Sequence, residues 1–272
     1  MVVIIRYMVV VCCIAKNEHR YINDFVRYYL HLGVDKIYIY DNDDPNKSYI
    51  GDFIDNKDKV EIIDKRGIKG KGIQTLFYNE FYEKYKNTFE WCIVCDVDEY
   101  LTGTNNIKEY LYKNKDRYTR YGQIRVRWRL FGDDDLIERD TSEPIWCSFH
   151  KEIKHSLHRN LMQKGNLEIQ GKCIVKGGMD NVFFKSVHFI SGCLECLPSG
   201  KEIHSGVAIK ESYENEDLYF NHYMTKTLSE FVEQKLGRHD AVYGNYLDLS
   251  YFWRINKITI EKREWLRKRG LI

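Results

Sequence analysis

The order of hydrophobic periods in the first hundred residues limits the fold more than any other feature. Met8 to Ala15 is an unbroken apolar run of strand length. Glu18 to Leu32 follows with Tyr21, Ile22, Phe25, Tyr28, Tyr29 and Leu32 at helical spacing before Gly33 stops it. Lys36 to Tyr40 reads as a second strand, Tyr49 to Asn56 as a short helix, Val60 to Ile63 as a third strand, Ile73 to Tyr85 as a helix and Trp91 to Cys95 as a fourth strand. Strands that alternate with helices bury their apolar runs when the helices cross over the sheet, which joins the strands in parallel. Beyond Gly122 the alternation stops. Ile124 to Leu130 is a strand, Trp146 to His204 gives short strands with turns, and Leu228 to Leu236 and Thr259 to Lys268 read as helices. The expected class is α/β, a mostly parallel sheet with helices on both faces and an α+β elaboration toward the C-terminus.

Lys and Arg total 42 against 40 Asp and Glu, a formal net charge of +2, so nothing draws the chain electrostatically to nucleic acid. The opening apolar stretch is broken by Arg6 and Tyr7 and falls far short of the roughly 20 residues that cross a bilayer, so we expect a buried strand and no transmembrane segment. Lys262, Arg263, Arg267, Lys268 and Arg269 of the last helix allow a peripheral membrane contact, and a solvated face explains them as well. Cys12, Cys13, Cys92 and Cys95 lie in apolar runs, where free thiols act as small hydrophobes, and they point to a reduced, cytoplasmic setting. Cys193 and Cys196 form a CxxC flanked by His188 and His204, which either a zinc ion or a disulfide would explain.

In an open α/β sheet ligands bind outside the carboxyl ends of the strands. Those ends carry Lys16-Asn17-Glu18, Asp41-Asn42, the loop from Lys65 to Gly72 and Asp96-Val97-Asp98-Glu99, four loops addressing one crevice. Asp96 and Asp98 flank one residue, a spacing that lets two carboxylates share a hard cation with the oxygens of a diphosphate. A solvated turn is the simpler explanation of an isolated pair. Three acids in four residues at the ligand edge concentrate charge that a bound cation would relieve. Gln74, with Arg66, Lys69 and Lys71 before it, either reaches diphosphate oxygens or belongs to a solvated loop.

Several segments also carry a resemblance. Ala15-Lys16-Asn17-Glu18, Leu32-Gly33-Val34-Asp35-Lys36 with Ile39-Tyr40-Asp41-Asn42, Trp91 through Asp96-Val97-Asp98-Glu99-Tyr100-Leu101, Trp128 with Phe131-Gly132, and Asn221-His222-Tyr223 followed by Lys226 stand in collinear order. Together, over residues 9 to 240, they resemble the family 92 and related family 2-like glycosyltransferases of the GT-A fold. The resemblance implies one Rossmann-like GT-A domain over 1–272, with a nucleotide-binding half at 1–101, an acceptor-binding half at 102–240 and a helical tail at 241–272. It implies a UDP- or GDP-sugar as donor, with Ala15, Asn17, Glu18, Asp41 and Asn42 about its base and ribose, and a glycan hydroxyl as acceptor. It further implies that Asp96 and Asp98 meet the ribose and a divalent cation and that His222 completes the metal shell. An imidazole ligand suits Mn²⁺, whereas an all-oxygen shell leans to Mg²⁺.

Inverting transfer needs a carboxylate to take the acceptor's proton. Asp133-Asp134-Asp135 is its expected source, Asp134 and Asp135 foremost, and Asp180 is the rival; the family more usually has small residues after this Phe-Gly. Two other functions compete on chemistry alone. Clustered carboxylates also build phosphoryl transferases and nucleases, and the 21 Tyr and 13 Phe suit a carbohydrate-binding module. Neither explains the matching segments upstream of Asp96.

Overall fold

The computed structural model describes residues 7–153, 171–203, 216–238 and 247–272. The chain divides into two compact units, the first Met1–Trp128 with Ile169–Asn221, the second Arg129–Glu168 with His222–Ile272.

The first unit is built on the expected alternation. β1 (Val9–Ala15), β2 (Lys36–Asp41), β3 (Val60–Asp64) and β4 (Trp91–Val94) run parallel in the spatial order β3-β2-β1-β4. α1 (Ile22–His31) links β1 to β2, and α2 (Ile73–Tyr85) carries the chain from β3 back past β1 to β4. Parallel crossovers are right-handed, so this reversal of direction puts α1 on one face of the sheet and α2 on the other. Val10, Cys12 and Ile14 of β1 accordingly share a core cluster with Phe77, Tyr78 and Phe81 of α2, and the intervening β1 residues face the other way.

Past β4 the sheet turns antiparallel. β7 (Gly171–Lys176) pairs with β4, and β6 (Gln123–Leu130) pairs with β7. β10 (Glu195–Cys196) and β11 (Glu202–Ile203) extend that side, while β5 (Glu99–Thr102) and β12 (Tyr219–His222) pair off the main path, so that ten described strands form one sheet. β8 (Phe183–Ser186) and β9 (Phe189–Ser191) make a separate hairpin, and α3 (Ile107–Lys113) and α4 (Lys115–Tyr118) follow β5. Gly171 is required where β7 meets β6, because a Cβ there would lie 2.0 Å from the Val126 carbonyl oxygen.

The second unit closes three helices, α6 (Leu228–Gln234), α7 (Leu249–Trp253) and α8 (Ile260–Arg267), on Leu228, Phe231, Leu247, Phe252 and Leu266. Thr227 opens α6 with a reciprocal cap: its side chain accepts the Glu230 N–H, and the Glu230 side chain accepts the Thr227 N–H. On α8, Lys262 turns inward, fully buried, with its ammonium 2.5 Å from Asp133. Lys262 therefore leaves the exposed basic face expected of this helix. No described helix is long and apolar enough to cross a membrane.

The α/β class holds, and α2 spans the residues its periodicity predicts. Other bounds shift for local reasons. α1 starts at Ile22 rather than Glu18 because residues 17–21 are spent turning: Asn17 is left-handed (φ 59°), and the Glu18 carbonyl accepts the Tyr21 N–H at 2.9 Å. The helix expected over 49–56 is a pair of 3-10 turns, Ile50–Phe53 and Lys57–Lys59. Within the 146–204 stretch, read as strands, α5 (Ile145–Ser148) is a helical turn entered from Pro144, whose missing N–H suits a helix start. His204 lies outside the described residues.

Candidate active site

The return crossover from β3 to β4 makes the gap between the carboxyl ends of β1 and β4 the point where the connections diverge, and ligand crevices of α/β sheets open at such points. Ala15 ends β1 fully buried, its carbonyl accepting the Asn42 N–H at 2.9 Å. Asn17 follows in the left-handed conformation that Asn tolerates. It donates its N–H to Asp43 Oδ2 at 3.0 Å and keeps its side-chain Oδ1 buried with no hydrogen-bond partner. Glu18 is buried next to it in sequence.

Asp43, absent from the sequence-based set, ties these loops together. Its N–H donates to Asp41 Oδ1 at 3.1 Å, and its carbonyl accepts the Gly67 N–H at 2.8 Å. Asp41 and Asn42 are turned to the same task. The buried Asp41 carboxylate accepts the Asp43 and Ile50 N–H groups, and burial pushes its pKa up against them. The Asn42 amide donates to the carbonyls of Lys65 and Ile68 at 3.1 and 2.9 Å, pinning the Gly/Lys loop. Three of that loop's four cations are engaged within the protein, Lys65 with Glu80 at 2.8 Å, Arg66 with Asp64 at 2.8 Å and Lys69 with Asp44 at 3.5 Å, and the fourth, Lys71, is exposed. Gln74 sits half-buried in the first turn of α2.

After β4 the chain turns through Asp96, Val97 and Asp98, and Glu99 opens β5. Glu99 is fully buried, and its Oε2 accepts the Asp96 N–H at 2.8 Å, which closes the turn. The sequence led us to assign the charge of this turn to a bound cation. Part of it is answered instead by Lys172 of β7, whose buried ammonium lies 2.9 Å from Asp96 Oδ2 and 3.9 Å from Glu99 Oε2. Burial alone would lower the Lys172 pKa, but Asp96 and Glu99 outweigh it and hold the ammonium charged. Burial, reinforced by Asp96 and Asp98 and opposed by Lys172, pushes Glu99 well above the usual carboxylate range.

Asp98 is buried, and so is His222, which ends β12 and opens the second unit, its carbonyl accepting the Phe131 N–H at 3.0 Å. Among the described residues no group of three or more His, Cys, Asp or Glu side chains stands arranged as a metal shell. The fit to a hard cation rests on one atom. Asp96 Oδ1 is a buried carboxylate oxygen with no hydrogen-bond partner, the kind of atom a divalent cation or a ribose hydroxyl would satisfy.

In the second unit the three consecutive aspartates do three different things. Asp133 is buried against Lys262, and its N–H donates to Asn256 Oδ1 at 2.8 Å. Asp134 and Asp135 are both left-handed, at φ 52° and 67°. The Asp134 carboxylate accepts the N–H groups of His150 at 2.7 Å and Lys151 at 3.1 Å, stapling two loops. The Asp135 side chain is 40% exposed, with the ammonium of Lys151 at 3.5 Å and that of Lys257 at 3.9 Å. Asp180, in the first unit, is a surface partner of Lys86 at 3.0 Å.

The CxxC holds no disulfide: all eight cysteines are free thiols. Cys193 and Cys196 both lean on Gln123, whose Nε2 donates to Cys193 Sγ and whose carbonyl accepts from Cys196 Sγ. Burial pushes them up to about 11 and about 12, which leaves them protonated and unreactive at neutral pH. His188 contacts the Gly171 carbonyl through Nδ1 at 3.0 Å, so that nitrogen carries the proton.

With its parallel core, its crevice at the β1/β4 divergence and its acidic turn after β4, the fold is GT-A-like, and the class of protein it defines is a glycosyltransferase. Residues 7–241 match the model of glycosyltransferase family 92, and the chain belongs to that family. No curated protein matches it. The match runs through nearly all the residues discussed above and supports glycosyl transfer over the nuclease and binding-module readings.

Proposed function

We propose that this family 92 enzyme transfers a hexose or pentose from a UDP- or GDP-sugar to a glycan hydroxyl, with inversion and with the help of Mn²⁺ or Mg²⁺. The observation that carries the reading is Asp96 Oδ1, a buried anionic oxygen without a partner at the end of β4. Asn17 Oδ1, also buried and unpartnered after β1, supports it. Two lone acceptors on neighbouring strand ends suit a molecule that brings hydroxyl and N–H donors, as a nucleoside does. Ala15, Asn17 and Glu18 form one wall of this donor site, and Asp41, Asn42 and Asp43 hold the other in place. Gln74 is assigned to the diphosphate. A divalent cation, when bound, neutralises the departing diphosphate. Asp96 and Asp98 are the ligands we assign to it, with His222 added on the strength of the family resemblance.

What each aspartate already does favours one of them as the base. Asp134 spends its carboxylate on two backbone N–H groups, and Asp133 is committed to Lys262. Asp135, 40% exposed, faces lysine ammonium groups at 3.5 to 3.9 Å, and we assign to it the proton of the acceptor hydroxyl as that oxygen attacks the anomeric carbon and the bond to the diphosphate breaks. Asp135→Asn is expected to keep nucleotide-sugar affinity and lose transfer by about 10²-fold or more, measured by calorimetry and by product formation. A parental rate would move the base elsewhere, with Asp180 next. Peripheral contact with an anionic membrane through Arg263, Arg267, Lys268 and Arg269 remains part of the proposal, supported by the exposure of Ile260 on the same helix.

A further inference from the structure

Lys172 lies beside the acidic turn, though neither motif nor family resemblance singled it out. It follows Gly171, the glycine that lets β7 approach the β6 backbone, and it lies one residue beyond the Val94–Cys173 pair that joins β7 to β4. That register brings its side chain to the end of β4, where it is 1% exposed. The ammonium donates to Asp96 Oδ2 at 2.9 Å and to the Val187 carbonyl at 3.4 Å, and Glu99 Oε2 faces it as an ion-pair partner at 3.9 Å. Two hydrogen bonds and one ion pair fix its position. Glu99 in turn accepts the Asp96 N–H, which fixes the backbone beneath the same carboxylate. Asp96 is thereby held at both ends: Oδ2 is taken by Lys172, and Oδ1 alone is left without a partner.

We propose that Lys172 is a positioning residue for the donor nucleotide: it holds the carboxylate of Asp96, whose side chain is 32% exposed at the end of β4, in one orientation, and it lowers the negative charge of the turn that an anionic diphosphate must approach. The inference rests on the donor site proposed above. A lysine that served only as a buried counter-charge to Glu99 would cost stability when replaced and leave the affinity of the folded protein unchanged. A clamp would cost affinity as well, because a freed Asp96 would rotate and lose the orientation that binding requires. Partners that orient a ligating carboxylate from behind are worth about 10- to 100-fold in affinity.

The test is a double-mutant cycle on binding, read by calorimetry with UDP and GDP in the presence of Mn²⁺, alongside melting temperatures. Lys172→Met is expected to raise the dissociation constant by about 10- to 100-fold with the fold retained. Lys172→Arg, which keeps the cation, is expected to recover most of that loss. The double variant Asp96→Asn/Lys172→Met is expected to bind no more weakly than Asp96→Asn alone, since Lys172 acts through Asp96. If Lys172→Met fails to fold because Glu99 loses the nearby ammonium, Lys172→Met/Glu99→Gln removes both charges and is read in the same way. Parental affinity in the folded Met variant, or losses that add across the cycle, would overturn the clamp while leaving the donor site standing. Parental affinity in Asp96→Asn would overturn the donor site, and the clamp with it.

Discussion

His188 shows how strongly one side chain here depends on its surroundings. Burial first, and the Lys172 ammonium second, lower its pKa from 6.5 to about 4. The folded protein thus keeps the ring neutral where the unfolded chain would protonate it. Its contribution to stability is complete above pH 6.5 and is lost as the pH falls from 6.5 toward 4, by at most about 3 kcal/mol because the ring is partly exposed. Calorimetric melting across that window should show the decline, and His188→Gln should flatten it; equal slopes in the two proteins would refute the assignment. The positions of Asn17, Asp96 and Asp98 just past the ends of β1 and β4 were legible in the sequence, because apolar runs of strand length stop immediately before them. The roles of Asp43 and Lys172 were not. Asp43 reads as one more residue of an acidic turn, and Lys172 as an ordinary polar position in a strand. What gives Lys172 its role is a pairing with Asp96 across 76 residues, and strand register over such a distance leaves no local mark.

At the scale of elements, the ion pair between Lys262 of α8 and Asp133 anchors the last helix to the loop that follows β6. Both groups are buried, so removing one strands the other. Lys262→Met should lower unfolding free energy by about 3–5 kcal/mol in a urea titration, while Lys262→Met/Asp133→Leu should restore most of it. A loss below about 1 kcal/mol in the single variant would show that the pair is solvated and dispensable. The same pair explains why the three aspartates cannot be neutralised together to find the base: Asp133→Asn would leave the ammonium of Lys262 buried without its counter-charge. Long periodic elements such as β1 and α2 could be read directly, because many apolar positions agree on one period. β5, β12, α3, α4 and α7 were not read: β1, though only seven residues, is one unbroken apolar run, whereas these short elements mix polar residues among too few apolar positions to fix a period. β5 is hidden further, as its first residue, Glu99, reads as part of the acidic run although it is fully buried.

For the whole molecule, the alternation of periods foretold a parallel α/β core, and the sheet bears it out. The antiparallel insertion of β7 between β4 and β6 was not foretold, because nothing in a strand's own sequence states which partner it joins or in which direction. That insertion delivers Lys172 to the acidic turn and so shapes the site as much as the Asp-Val-Asp motif does. The decisive measurement is release of nucleoside diphosphate from a panel of UDP- and GDP-sugars by the purified chain with Mn²⁺, with Mg²⁺ and with chelator, in parallel with Asp96→Asn. One donor should be turned over in a cation-dependent way, and Asp96→Asn should reduce its binding and turnover by about 10- to 100-fold. If no donor is bound or cleaved, or if turnover is indifferent to both chelator and Asp96→Asn, a nucleotide sugar held at the end of β4 is not how this enzyme works.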